Sequence, residues 1–274
     1  MAEPKQSEAR GYDCFYEQFD SPLMQRLRRE AYGQDIGQHS WVAADELTQD
    51  IARLRLTRAS RLLDLGCGPG GPLTFMVSQA GCRATGIDLS AHAIESARTR
   101  RTALGLNALI ELQVADSNEP LSFQRSDFNA VISIDVVLHL RDRATAFREV
   151  ARVLTSGGRF LFTDAGVITG PVSNQEIGRR SIHGFTQFAP TGFNERTIEC
   201  AGFRLIETAD RTPSLLANAS GRLASRLAHR EELEQVEGAV YFESQLRYLE
   251  TVVALAERGA VLRMMYLAER EATA

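Results

Sequence analysis

Between Ser60 and Asp164 the chain returns five times to a short strand-like run, with helical spacing between most of them, and few folds accommodate that alternation. Ser60–Leu65, Arg83–Leu89, Ile110–Ala115, Phe128–Ile134 and Arg159–Phe162 read as strands. Phe128–Ile134 is apolar on both faces, as a central strand covered on both sides must be. A helix follows the first strand through Ala80, and Ser90 is placed to N-cap another that reaches Leu104. A third, with Ala144, Phe147, Ala151 and Leu154 on one face, is predicted to stop at Gly157-Gly158. Repeated strand–helix units predict an α/β fold with a Rossmann-like, doubly wound, mostly parallel sheet.

The flanks read differently. From Tyr12 to Leu56, Phe15, Phe19, Leu23 and Leu27 and then Leu47, Ile51 and Leu54 recur at helical spacing. They predict two helices joined by an ordered loop, AYGQDIGQHSW. Beyond Asp164, residues 165–194 are rich in Gly, Pro and polar residues. A short helix at Glu195–Ala201 and a strand at Phe203–Thr208 follow. Past a loop at Asn218–Gly221, helical spacing resumes from Leu223 to Arg258, and VLRMMYLAE closes as a strand. The chain thus divides into a helical cover (1–56), a core (57–164) and a mainly helical lid with the final strands (165–274).

Composition narrows the partners. The 274 residues are 44% hydrophobic and 24% charged with a net charge of −4, and no basic stripe with interleaved aromatics suggests nucleic acid. Cys14, Cys67, Cys82 and Cys200 lie far apart without C-x-x-C spacing, so neither a metal site nor a disulfide framework is expected. The polar start MAEPKQSEARGYD lacks the apolar core of a signal peptide, and the apolar run Ala130–Leu140 is interrupted by Asp135. A cytoplasmic protein, not in a membrane, is the expectation. A homodimer through the C-terminal helices is compatible with the sequence.

The first strand runs into LLDLGCGPGG, Leu62–Gly71, which parses in two ways. Gly66, Gly68 and Gly71 fit the G-x-G-x-x-G turn of a nicotinamide-dependent oxidoreductase. Gly66, Gly68 and Gly70, preceded by Asp64, fit a loop that holds S-adenosylmethionine. Asp88, about twenty residues past the loop, suits the ribose hydroxyls that both cofactors carry. Asp64 separates the two: a fixed carboxylate at the turn repels a pyrophosphate and suits an ammonium and a sulfonium. Asp116, in VADSNE, is placed to accept from an adenine amine.

With these residues in hand the chain resembles class I S-adenosylmethionine-dependent methyltransferases of the small-molecule type. LLDLGCGPGG, ATGIDLS, VADSNEP, AVISIDVVLHL and REVARVLTSGGRFLFTD match in order, covering Arg61–Asp164. The layout is most similar to bacterial sugar O-methyltransferases and to sarcosine, sterol and quinone methyltransferases. The resemblance implies a seven-stranded sheet whose last strand is antiparallel. It also implies S-adenosylmethionine as cofactor, S-adenosylhomocysteine as product, and a small-molecule acceptor, with a specialised metabolite the favoured class. C-methylation and sulfonium-assisted cyclisation remain open beside O- and N-methylation. Around the cofactor it places Tyr16 and Trp41 of the cover, Asp64, Gly66, Cys67, Gly68 and Gly70 of the loop, and Asp88, Leu89, Asp116, Ser117 and Ile134 at later strand ends.

Methyl transfer is an in-line displacement that the protein assists mainly by orientation and exclusion of water. A hydroxyl acceptor further needs a base. His139, after the fourth strand, is the expected base, and Asp164, ending the fifth, a second or orienting one. Arg179, His183, Phe185 and Phe188 are the expected acceptor contacts, with the Arg179-Arg180 pair suited to an acidic or phosphorylated group. His39 falls in the segment that such proteins close over the cofactor, whereas His92 and His229 are expected on helix surfaces.

Overall fold

Two helices, α1 (Pro22–Tyr32) and α2 (Ala44–Arg53), precede the alternating core. The structure is a computed structural model that describes residue 16, residues 18–182 and residues 184–272. Ser21 caps α1 by accepting from the Met24 amide, and Asp45 and Glu46 occupy the first turn of α2, where the helix dipole favours negative charge. In the core, β1 (Arg61–Leu65) is followed by α3 (Gly71–Ala80), β2 (Arg83–Asp88) by α4 (Ala91–Ala103), and β3 (Ile110–Val114) leads to β4 (Phe128–Ile134). Then come α5 (Arg143–Val153) and β5 (Leu154–Ile168). The lid contributes α6 (Asn174–Arg180), the two-residue β6 (Ala189–Pro190), α7 (Phe193–Cys200), β7 (Phe203–Asp210), α8 (Thr212–Ala228), α9 (Arg230–Glu237), α10 (Ala239–Glu257) and β8 (Val261–Arg270).

The sheet order is β3-β2-β1-β4-β5-β8-β7, with β6 beside the end of β5. β1 to β5 are parallel, and β8 runs antiparallel to both β5 and β7. The strand order reverses between β1 and β4, so the connections diverge there and leave a crevice beyond the strands' carboxyl ends. Successive side chains explain why these strands are apolar throughout. Leu62, Ile132 and Leu161 pack on one face with Leu47, Leu73, Met76 and Ile94, while Leu63, Val131, Phe160 and Phe162 pack on the other with Phe147 and Val150. Each such buried side chain stabilises the fold by ~1.5–3 kcal/mol.

Three expectations from local signals are corrected. α5 ends at Val153, not at the glycine pair, because fully buried Leu154 already pairs with Phe128 in the sheet. Gly157 (φ 72°) and Gly158 instead fall inside β5, where the register against β4 jumps to Arg159 opposite Ala130. Asn218–Gly221 is not a loop but the middle of α8. Gly221 is there because α1 passes so close that a Cβ would overlap the Ala31 carbonyl oxygen. The long helical stretch is broken at His229 and at Gly238 (φ 81°) into the end of α8, α9 and α10.

Candidate active site

A cavity of ≈ 200 Å³ occupies the crevice, lined from the sheet by Asp64, Gly66, Cys67, Gly68, Asp88, Leu89, Asp116, Ser117 and Ile134, and from the cover by Tyr16 and Trp41. Gly70 alone of the expected cofactor contacts is absent from the lining. It sits at the N-cap of α3 with φ 77°, and a Cβ there would meet Ala97 of α4 at 2.9 Å. Its glycine requirement is conformational and a matter of helix packing. Gly71 begins α3, as expected of a helix-start residue rather than the third glycine of a dinucleotide turn.

The loop and Asp88 are one unit. Gly66 and Cys67 donate their amides to the Ile87 carbonyl at 2.8 and 2.9 Å. Gly68 and Ser90 donate theirs to the two carboxylate oxygens of Asp88 at 2.8 and 2.9 Å. Asp116 accepts from the backbone and side chain of Asn118, whose own side-chain oxygen takes the Arg141 amide. Asp64 differs from both, being 2% exposed with no hydrogen-bond donor on its carboxylate among the described residues. Burial, reinforced by the nearby Asp88 charge, pushes its carboxyl up to about 8.

The cover is fastened to the sheet by charges that only the tertiary fold brings together. Asp135 holds φ 57°, an unfavourable conformation for a non-glycine residue. It is fixed by the Trp41 amide (2.9 Å), the Thr163 hydroxyl (2.7 Å) and Arg263 Nε (2.8 Å). Arg263, fully buried in β8, also reaches Glu46 of α2 at 2.8 Å. Burial opposes its charge, but Asp135 and Glu46 outweigh that and hold it above the usual arginine range. Asn218 of α8 donates to the Trp41 carbonyl at 2.7 Å, and the Tyr32 hydroxyl to the Ser40 carbonyl at 2.9 Å. Arg263 had a visible signal, a lone charge inside an apolar strand; Asn218 had none.

On the acceptor side the expected residues separate. His139 lies in a single 3-10 turn after β4 (Val137–His139) and lines the cavity. Its Nδ1 is 2.8 Å from the Phe185 carbonyl oxygen, which can only accept, so Nδ1 carries the proton and Nε2 is the basic nitrogen. Burial, only partly offset by that bond, lowers its pKa. His39 also lines the cavity and, for the same reason of burial and then the nearby Arg222 and Arg28 charges, falls to about 3. Phe185 lines the cavity, whereas Phe188 does not, and Arg179 points away, exposed. Its neighbour Arg180 is the buried one that lines the cavity, because α6 turns that face onto Tyr248. His183 lies outside the described residues.

Asp164 is also corrected. It is fully buried and does not line the cavity. Arg143 (2.6 Å), Asn194 (2.8 Å) and the Gly166 amide (2.9 Å) occupy its carboxylate. Its work is to tie β5 to α5 and α7, and no acceptor proton can reach it. Among the described residues no cluster of His, Cys, Asp and Glu is suited to a metal, and no helix is long and apolar enough to cross a membrane.

A family model described as a methyltransferase domain matches residues 63–162. A sarcosine/dimethylglycine N-methyltransferase of Halorhodospira halochloris is 31% identical over 246 residues, covering 83% of this chain and 85% of that protein. The 27-O-demethylrifamycin SV methyltransferase of Amycolatopsis mediterranei is 31% identical over 182 residues, 66% of each chain. The chain spans 62% and 41% of the lengths of two further curated relatives. Among solved structures, the 4+2 cyclase SpnF shares the fold with a TM-score of 0.78 at 19% identity, over 98% of this chain and 97% of that one. The cofactor is accordingly S-adenosylmethionine rather than a dinucleotide, and the chain belongs to the class I S-adenosylmethionine-dependent methyltransferases.

Proposed function

We propose that the protein transfers a methyl group from S-adenosylmethionine to a hydroxyl or amine of a small molecule, a specialised metabolite. In this reading residues 57–164 hold the donor, 1–56 cover it and 165–274 receive the acceptor. The observation that carries the reading is His139, which lines the cavity with Nδ1 2.8 Å from the Phe185 carbonyl oxygen, an acceptor that makes Nε2 the basic ring nitrogen. The cofactor supplies an activated methyl on a sulfonium. For a hydroxyl acceptor, Nε2 of His139 takes the proton as the new oxygen–carbon bond forms and the carbon–sulfur electron pair returns to sulfur. Asp64 would hold the ammonium end, Asp88 the ribose and Asp116 the adenine, while the aromatic rings of Tyr16 and Trp41 would favour the sulfonium as a cation. Trp41, pinned by Asp135 and Asn218, helps exclude water.

The test follows labelled methyl from S-adenosylmethionine onto matched hydroxyl and amine acceptors, with the native protein and His139→Gln. A hydroxyl acceptor should lose roughly 10²–10⁴-fold in kcat, and an amine acceptor far less. Equal losses on both would remove His139 from the role of base. Asp88→Ala should abolish calorimetric binding of S-adenosylhomocysteine, and unchanged affinity would contradict the placement of the cofactor.

A further inference from the structure

The cavity contains a charge imbalance that the cofactor-side acids do not resolve. Among the buried arginines, Arg28, Arg143, Arg159, Arg211, Arg226 and Arg263 each face a carboxylate within ion-pairing distance. Arg180, 5% exposed, has no carboxylate partner among the described residues. Its Nη1 donates to the Tyr248 hydroxyl at 3.0 Å and its Nη2 to the Ala165 carbonyl at 2.9 Å. These bonds orient the guanidinium without neutralising it. Among the described residues the one comparable buried arginine, Arg270, bonds the Leu154 carbonyl and Ser126 and does not line the cavity.

A second cation faces the same space. Arg222 of α8 lines the cavity and likewise has no carboxylate partner among the described residues. Its guanidinium stands 4.9 Å from the ring of Trp41, which stacks on Tyr248 at 6.2 Å, and Tyr248 in turn lies 5.4 Å from Arg180. The two arginines therefore sit at the two ends of a stacked aromatic pair. The carboxylates of the cavity lie at the strand ends, and Asp135 is already matched by Arg263. A buried, unneutralised guanidinium is costly and is retained where an anion completes it.

Resting on the methyltransferase reading above, we propose that the acceptor carries an anionic group, a carboxylate or phosphate, that binds Arg180, with Arg222 as a second cation. Remaining guanidinium protons of Arg180 donate to the anion, and the flat Trp41–Tyr248 pair contacts the acceptor's body between the two charges. The arrangement places the anchor on the lid, whereas the acids assigned above to the donor stand at the ends of the sheet strands.

The test is calorimetry on the full chain saturated with S-adenosylhomocysteine, using benzoate, phenyl phosphate and inorganic pyrophosphate, with benzamide as the neutral control. At least one anion should bind about tenfold or more tightly than benzamide, the scale of a charge-assisted hydrogen bond. Arg180→Gln should erase that preference, Arg222→Gln should reduce it, and both should leave S-adenosylhomocysteine affinity within about threefold. Carboxylate and phosphate probes then rank the two anion types. No preference for any anion, or a preference that survives Arg180→Gln, overturns the proposal. So does a loss of S-adenosylhomocysteine affinity in Arg180→Gln, which would assign the guanidinium to the cofactor's own carboxylate. Failure of the native protein to bind S-adenosylhomocysteine would instead strike the cofactor reading, and the same titrations on ligand-free protein would still decide the anion site.

Discussion

Replacing Asp64 by asparagine should stabilise the ligand-free protein while weakening its hold on the cofactor. The carboxyl is 2% exposed, and burial together with Asp88 raises it from an ordinary 3.8 to about 8. A raised folded-state pKa means that the folded chain holds a proton the unfolded chain releases. Its contribution to stability is therefore complete below the unfolded value and is lost as pH rises through the folded one. Each tenfold change in proton affinity corresponds to about 1.4 kcal/mol, so at pH 7 the native carboxyl costs up to about 4 kcal/mol. Relaxation and the amide's own desolvation reduce the expected gain to about 1–3 kcal/mol, or ~3–8 °C in Tm for a chain of this size. The decisive feature is the pH dependence of the difference. In differential scanning calorimetry the advantage of Asp64→Asn should be small at pH 5, grow to pH 8 and level off above it. Loss of a charge-assisted contact to the ammonium should cost about 1.5–3 kcal/mol of S-adenosylhomocysteine binding, roughly 10- to 150-fold in Kd. A difference in Tm that is flat with pH, or an unchanged Kd, would refute the reasoning.

The other predictions concern packing and proton transfer. Arg143→Met strands the carboxylate of Asp164 in the core and should lower the free energy of unfolding by about 3–5 kcal/mol in urea melts. Adding Asp164→Asn should restore part of that, and an additive pair would mean the two groups do not interact. Gly221→Ala drives a Cβ into the Ala31 carbonyl oxygen. It should cost about 1–3 kcal/mol through separation of α1 from α8, seen as a lower Tm; an unchanged Tm would place the helices further apart. With a hydroxyl acceptor, kcat should fall with acid through a pKa below the ordinary histidine value of 6.5, because burial lowers that of His139. The profile should lose this limb in His139→Gln, and a limb that persists would belong to another group.

Much of the core was legible because its signals are local or periodic. Five strand-like runs, the glycine turn and carboxylates at strand ends sit at fixed spacing, and a parallel sheet places all strand ends on one edge whatever the remainder of the chain does. Errors arose where a residue's reason lies in a distant neighbour. Gly157 and Gly158 look like a helix stop, yet Leu154 is captured by Phe128 across the sheet. Gly221 looks like a turn residue, yet it answers to Ala31 in another helix. Asp164 looks catalytic at the end of β5, but Arg143 and Asn194 claim its carboxylate from two other helices.

By itself, then, the sequence determined the architecture and the donor, since strand periodicity, a turn that tolerates positive φ and acids one strand apart act over short separations. Only the tertiary structure decided which of Arg179 and Arg180 turns inward, that Asp135 and Arg263 fasten the cover, and which histidine nitrogen is basic. Those outcomes depend on which polar groups are brought out of water together. Their energies are set by burial and by partners far along the chain, which no local spacing encodes.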